Sequence, residues 1–339
     1  MILGQISDIK QILNSPKDIV IVPHRNPDGD AMGSSLGLYH FLNQNEHNVD
    51  VIAPNDYPEF LKWLPGNDVV LKYEEQMSIC QEKIDRADLI FTLDFNALHR
   101  AGDELGKAIE TSKADKIMID HHQQPDDYAA FTYSDVSMSS TCEMVYNFIE
   151  MLDQLDKITP EVATCLYTGI MTDTGSFRFQ STTSRTHRVT ADLMDKGAVN
   201  FQIHNAVYDT NSYSRLQLLG RAMQNLKVLP EYKTAYITLS QEELDTFQFK
   251  KGDTEGFVNY GLSLKDVIFA AIFIENQQDA IIKVSLRSKG NFSVNEFSRA
   301  HFNGGGHTNA AGGRSHLTLK ETVDKFISIL PHYKAQLSQ

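Results

Sequence analysis

Eight side chains of the types that bind hard divalent cations, five aspartates and three histidines, arrive at four separated places in the chain. His24, Asp28 and Asp30 lie in the turn His24-Arg25-Asn26-Pro27-Asp28-Gly29-Asp30. Asp94 closes the apolar run Leu89-Ile90-Phe91-Thr92-Leu93, and His121 lies in Asp120-His121-His122, which closes Lys116-Ile117-Met118-Ile119. Asp173 follows the helical stretch Ala163 to Thr172 and precedes Thr174-Gly175. Carboxylate oxygens and imidazole nitrogens without a thiolate suit a hard or borderline divalent ion. Four aspartates and two histidines are enough ligands for two ions. Two ions roughly 3.5–4 Å apart clamp the attacking and leaving oxygens of an in-line phosphoryl displacement, and one carboxylate must then bridge them.

The elements that carry these residues follow from the pattern. Ile19-Val-Ile-Val22 reads as a buried parallel strand stopped by Pro23. Further strands are expected at Val49 to Ala53, Asp88 to Asp94, Lys116 to Asp120 and Phe131 to Tyr133. Helices are expected over Met1 to Asn14, Ala31 to Asn45, from Ser140 (a Ser-x-x-Glu capping box with Glu143), over Glu161 to Met171 after Pro160, and over Arg185 to Lys196 up to Gly197. Strands alternating with helices predict an α/β fold with a mainly parallel sheet and right-handed crossovers. Such sheets place ligands at the carboxyl ends of their strands.

Taken together, these motifs resemble the four motifs of the DHH phosphoesterase superfamily. Phe302-Asn303-Gly304-Gly305-Gly306-His307 and Asn309-Ala310-Ala311-Gly312 resemble the signature of its DHHA1 subfamily, and the resemblance covers nearly the whole chain. Motif order and length are most similar to the standalone nanoRNase / pAp phosphatase type. The resemblance implies residues 1–190 as a DHH catalytic domain, 191–229 as a helical connector and 230–339 as a smaller α/β DHHA1 substrate-binding domain, with a cleft between them that favours short substrates. It implies that His24 and Asp28 hold one metal, that Asp30, His121 and Asp173 hold the other, and that Asp94 bridges. Asp120 then supports a histidine, and His122 faces the substrate phosphate as hydrogen-bond donor or general acid. Manganese is the expected ion, with Mg²⁺ or Co²⁺ as alternatives. His99 and Arg100, just past Asp94, and Arg178, just past Asp173, are candidate substrate contacts. Ser139-Ser140-Thr141 suits either an anion at a helix start or plain capping. His187 reads as a surface residue.

In the C-terminal part, Thr234 to Leu239 reads as a strand, Ser240-x-x-Glu243 as a capping box, and Val267 to Ile274 with Ala280 to Leu286 as a strand pair. Helices are expected over Asn291 to Ala300 and Leu319 to Tyr333. Three consecutive glycines carry a large entropic cost unless the backbone must bend or admit a ligand. Their N–H groups could form an anion nest, with His307 adding a donor and Arg287 forking onto a second phosphate. Asn303 stands where the subfamily usually has a fourth glycine.

At 339 residues with 41% apolar composition the chain suits two domains. A net charge of −13 argues against coating long duplex nucleic acid, though not against nucleotides or short oligomers. Cys80, Cys142 and Cys165 are scattered and suggest no disulfide framework. No leader or membrane-length apolar run is read, so a cytoplasmic location is expected, with no membrane partner. Association into a homodimer is left open. The expected activity is hydrolysis of short oligoribonucleotides and 3′-phosphoadenosine 5′-phosphate. Two alternatives stand beside it: a phosphodiesterase for cyclic di-AMP or linear pApA, and a metal-free nucleotide-binding protein. A RecJ-like exonuclease and a manganese pyrophosphatase fit less well, the latter because its C-terminal motif is typically Ser-Arg-Lys-Lys.

Overall fold

The computed structural model describes residues 3–338, which divide into two units at Thr210/Asn211. In the first, α1 (Leu3–Ile12) precedes β1 (Asp18–Pro23), α2 (Gly29–Asn43), β2 (Asn48–Ala53), β3 (Leu71–Lys72), α3 (Tyr73–Arg86) and β4 (Leu89–Leu93). There follow α4 (Asp103–Thr111), β5 (Asp115–Asp120), β6 (Phe131–Ser134), α5 (Thr141–Met151), α6 (Pro160–Asp173), α7 (Ser184–Asp195) and α8 (Asn200–Tyr208). The six strands form one parallel sheet in the order β3-β2-β1-β4-β5-β6. Strand order reverses between β1 and β4, and at such a switch point two strand ends open a crevice for a ligand.

The apolar runs are continuous because both sheet faces are covered. Side chains alternate across a strand. Ile19 and Ile21 enter a core with Met32, Leu36 and Phe41 of α2, Phe148 of α5 and Leu166 of α6. Val20 and Val22 enter the opposite core with Cys80 and Ile84 of α3 and Leu105 of α4. The expected strands appear with ends shifted by a residue or two. The two-residue β3 escaped notice because it is too short to show periodicity. The helix expected over Met1 to Asn14 spans Leu3–Ile12, and Met1 and Ile2 lie outside the described residues.

Residues 191–229, expected as a connector, carry packed parts of both units. Leu193 of α7 and Ile203 of α8 are buried in the first unit's core. Leu218 and Ala222 of α9 (Tyr213–Asn225) are buried in a core of the second. Amphipathic spacing shows that a helix packs, but not against which core.

The second unit continues from α9 with β7 (Lys227–Leu229), β8 (Thr234–Leu239), α10 (Gln241–Thr246), α11 (Phe257–Leu262), β9 (Phe269–Asn276) and β10 (Ile281–Ser288). It ends with α12 (Val294–His301), β11 (Gly305–Gly306), β12 (Ala310–Ser315), α13 (Leu319–Ile329) and α14 (Lys334–Leu337). Its mixed sheet runs β11-β12-β10-β9-β8-β7, with only β8 and β9 parallel. The capping box at Ser240 and Glu243 forms in both directions. The helix expected over Leu319 to Tyr333 stops as α-helix at Ile329 and tightens to 3₁₀ geometry over Leu330–Tyr333, where Pro331 lacks the N–H that an α-turn would need. Among the described residues no helix is long and apolar enough to cross a membrane.

Candidate active site

The carboxyl ends of β1, β4 and β5 each deliver polar side chains, and the termini of α2, α5 and α6 complete the ring. Asp28 caps α2: its Oδ1 accepts from the N–H groups of Asp30 (3.0 Å) and Ala31 (3.1 Å). Asp30 is buried, and both its oxygens accept from the start of α5, Oδ2 from Thr141 N (2.6 Å) and Oδ1 from Cys142 N (2.9 Å). The anion expected at Ser139-Ser140-Thr141 is therefore this protein's own carboxylate. The capping box expected there is half formed. Ser140 Oγ accepts from Glu143 N (3.0 Å), but the buried Glu143 carboxylate accepts instead from the hydroxyls of Ser139 and Thr186.

Close helix packing sets Asp30 in place. A Cβ on Gly169 of α6 would overlap the Cys142 sulfur and stand 2.9 Å from Asp30 Oδ1, and one on Gly33 of α2 would stand 2.6 Å from the Cys165 carbonyl oxygen. None of these glycines stood out in the sequence, because helical glycines leave no local signal.

Asp94 sits at the centre. It follows β4 with φ 63, a left-handed conformation that Asp tolerates better than most residues. Its Oδ2 lies 3.4 Å from His24 Nε2, while its Oδ1 lies 3.5 Å from His121 Nε2 and accepts from Thr141 Oγ1 (3.0 Å). Asp28 Oδ1 is 3.9 Å from His24 Nε2. Around His121 Nε2 stand Asp30 Oδ2 at 3.7 Å and Asp173 Oδ2 at 3.6 Å. Donor atoms of His24, Asp28 and Asp94 lie within 4.8 Å of one another, and so do those of Asp30, Asp94 and His121, so Asp94 belongs to both sets.

The outer nitrogens fix the histidine tautomers. His24 Nδ1–H donates to the Arg25 carbonyl (2.8 Å) and His121 Nδ1–H to that of Met138 (3.2 Å). Each inner Nε2 therefore turns its lone pair toward carboxylates at separations longer than ordinary hydrogen bonds. Carboxylates and imidazole lone pairs facing one another require positive charge between them. Protons alone answer that demand at a cost in basicity. Against the effect of burial, the neighbouring Asp94 and Asp28 carboxylates raise His24 to about 9. Asp94 and Asp173 likewise raise His121. Burial and the neighbouring Asp94 and Asp173 charges hold Asp30 well above the usual carboxylate range. Asp94 itself is held low despite its burial by His121 and His24. A hard donor set that converts its histidines into strong bases fits divalent cations.

Asp120 and His122 adjoin this centre: donor atoms of Asp94, Asp120 and His122 lie within 4.8 Å of one another, with His122 Nδ1 3.6 Å from Asp94 Oδ1, and Asp120 is turned to His122. Its two oxygens accept from His122, Oδ1 from Nδ1–H (2.7 Å) and Oδ2 from the backbone N–H (2.8 Å), and burial followed by the Asp94 charge lifts its carboxyl to about 6. Arg100 Nη2 donates to His122 Nε2 (3.2 Å). Burial and that guanidinium hold His122 well below the ordinary imidazole range, so it is neutral. Both ring nitrogens of His122 are thus engaged, Nδ1–H by Asp120 and Nε2 by Arg100. Asn96, which the sequence reading passed over, braces this loop by donating to the carbonyls of His122 and Gln123 (3.0 Å each). His99 is exposed on a 3₁₀ turn. Arg178 is exposed, and its Nε donates back to the Gly175 carbonyl (2.7 Å).

In the second unit the glycine run is a tight hairpin rather than an open nest. Gly304 N–H donates to the Ser298 carbonyl (3.4 Å), Gly306 N–H to Asn295 Oδ1 (3.0 Å) and His307 N–H to the Ala310 carbonyl (2.7 Å). Close packing also explains two of the glycines, contrary to expectation. A Cβ on Gly304 would overlap the Gly312 carbonyl oxygen, and one on Gly306 would stand 2.5 Å from that of Ala310. Asn303 has φ 47, so the position usually held by glycine demands left-handed backbone, which Asn supplies. Arg287 pairs across the ladder with Ala310, the residue on which His307 closes, so both side chains belong to one end of the hairpin.

Residues 18–170 match the DHH family, N-terminal domain, and residues 233–335 match the DHHA1 domain. The probable bifunctional oligoribonuclease and PAP phosphatase NrnA of Streptococcus mutans is 31% identical over 90% of this chain and 92% of its own. An exopolyphosphatase-related protein from Bacteroides fragilis, of known crystal structure, is 43% identical with a TM-score of 0.94, covering 99% of this chain and 98% of that one. The cyclic-di-AMP phosphodiesterase PdeA of Listeria monocytogenes is 24% identical over 96% of this chain but only 49% of its own length.

Proposed function

Since this chain belongs to the DHH/DHHA1 phosphoesterase family and is a hydrolase, we propose that it is a manganese-dependent, two-metal enzyme for short oligoribonucleotides and 3′-phosphoadenosine 5′-phosphate. The observation that carries this reading is Asp94, whose two oxygens face His24 on one side and His121 on the other. His24 and Asp28 would hold one ion, Asp30, His121 and Asp173 the other, and Asp94 would serve both. Bound there, two divalent ions supply Lewis acidity for in-line phosphoryl displacement. The protein's own groups do the rest. Asp120 fixes the ring of His122, and His122 in turn holds Arg100, whose remaining donors suit a phosphate oxygen. The neutral His122 orients and does not protonate, so the leaving oxygen takes its proton from water. Arg287 and His307 grip a second phosphate with their side chains, because the hairpin N–H groups are committed.

Two substitutions separate these roles. Asp120→Asn places an amide donor against one of the His122 N–H groups and is expected to lower kcat about 10- to 100-fold. Mn²⁺ affinity should stay near wild type, as a calorimetric titration would report. Arg287→Ala is expected to raise KM for a dinucleotide about tenfold with little change in kcat, the sign of binding lost equally from ground and transition state. An unchanged KM would refute its phosphate role.

The similarity to a cyclic-di-AMP phosphodiesterase supports a second reading, hydrolysis of cyclic di-AMP or linear pApA. A Mn²⁺-dependent panel of 5′-phosphorylated RNA dinucleotide, longer RNA, pAp, pApA and cyclic di-AMP distinguishes them. Preference for the dinucleotide and pAp supports the first reading, and preference for cyclic di-AMP the second. Nucleotide binding without turnover in Mn²⁺ would instead indicate a binding protein.

A further inference from the structure

Two residues after Asp173, past Thr174, the backbone makes a left-handed turn: Gly175, Ser176 and Phe177 have φ 57, 60 and 64. Glycine adopts this conformation freely, but for L-residues it costs about 1–2 kcal/mol each, and a bulky residue such as Phe is an outlier there. The turn folds back over the end of α6. Gly175 N–H donates to the Thr172 carbonyl (3.1 Å), Ser176 N–H to that of Met171 (2.7 Å), and Phe177 N–H to Thr174 Oγ1 (3.0 Å).

Two contacts tie this turn to other elements: Phe177 packs on His187 of α7, with ring centroids 5.6 Å apart, and Ser176 meets His204 of α8. His204 of α8 donates Nδ1–H to the carbonyl of Asn200, one turn back (2.8 Å), which leaves Nε2 as an acceptor, and Ser176 Oγ lies 3.2 Å from it. The imidazole thus has a fixed tautomer and a fixed orientation, and its free lone pair meets the one hydroxyl in the strained turn. Tyr167 of α6 flanks His204 and the neighbouring Phe177, with ring centroids 6.1 Å and 6.0 Å away. Nothing in the chemistry derived above uses this Ser–His pair, and α8 otherwise packs on the first unit's core through Ile203 and Val207.

We infer that the Ser176–His204 hydrogen bond is a positioning device for Asp173, latching the left-handed turn so that this carboxylate stays aimed at His121. The inference rests on the reading of Asp173 as a metal ligand. Strain held next to a ligand persists only where surrounding contacts over-determine it. His204 supplies a hydrogen bond from outside the turn and its own helix, beside the ring contact of His187 with Phe177. It touches neither substrate nor reacting atoms, so its effect is on the Asp173 side of the centre.

The test is Mn²⁺ titration of chelator-stripped protein, with free Mn²⁺ read by its electron paramagnetic resonance signal. Asp173→Ala serves as the reference for loss of the ligand. His204→Ala is expected to weaken one of the two ions about 10- to 100-fold, the usual effect of removing an outer partner of a ligand. His204→Gln, which keeps an acceptor, should recover most of that loss. Ser176→Gly should bind more tightly than Ser176→Ala, because glycine adopts φ near 60 without a Cβ penalty. A merely structural role would not produce the recovery by glutamine, and Ser176→Ala, which removes the hydroxyl alone, keeps the test open if His204→Ala folds poorly. Wild-type affinity in His204→Ala and Ser176→Ala, with an ion lost in Asp173→Ala, overturns the latch alone. Wild-type affinity in Asp173→Ala overturns the ligand assignment and the latch with it.

Discussion

Replacing Asp94 by alanine is expected to lower hydrolysis of a phosphorylated dinucleotide by roughly 10³-fold or more. Asp94 is the one residue common to both donor sets, so its loss should disable both ions rather than one. Lewis-acid stabilisation of the transition state is worth several kcal/mol, and about 4 kcal/mol corresponds to roughly a thousandfold. Asp94→Asn is the sharper variant. Asn accepts the left-handed backbone at this position as readily as Asp, so the fold is spared while charge and one oxygen are removed. A single carbonyl oxygen cannot face both His24 and His121, and one Mn²⁺ in place of two is the expected stoichiometry. A rate near wild type in either variant would sink the bridging assignment.

The largest stability effect is expected from Gly169→Val. Its Cβ would overlap the Cys142 sulfur and press on Asp30. Overpacking a close helix contact costs about 1–3 kcal/mol, occasionally more. For a unit of this size that corresponds to a fall in Tm of roughly 2–12 °C. The same displacement moves the start of α5, whose N–H groups of Thr141 and Cys142 hold Asp30. Stability and Mn²⁺ affinity should therefore fall together. The pair Gly169→Ala and Cys142→Ala offers a check, since removing the sulfur relieves part of the clash. Thermal melts that show simple additivity would place the strain elsewhere.

The ligand-bearing strand ends were legible in the sequence for a physical reason. Strands buried on both faces are continuous apolar runs, and whatever polar residue ends such a run must lie at the sheet's rim. Asp94 and Asp120-His121-His122 announced themselves in that way. Asp30's partners did not, because the Thr141 and Cys142 N–H groups belong to any helix start, and only the fold brings them 111 positions back along the chain to this carboxylate. Arg100 lay in view, but its hold on His122 depends on the loop geometry that Asn96 enforces. The glycine run misled for a related cause. Entropy arguments show that glycine is required, and they do not say whether a ligand or a neighbouring strand makes the demand. Here Gly312 and Ala310 make it for two of the three. The connector expected at 191–229 concealed α8, whose amphipathic spacing carried no address.

The all-parallel sheet has a consequence for the order in which the molecule is made. No strand of the first unit can pair with a sequence neighbour through a tight hairpin, so every pairing closes a long loop, and folding of such topologies is slow. During synthesis His24 and Asp28 leave the ribosome early, while Asp173 emerges only after all six strands. The first part of the proposed ion-binding constellation therefore waits, acidic and uncompensated, for the last. Divalent cations present in the surrounding solution would bind the finished unit far better than any nascent one, and so would pull the last step of folding forward.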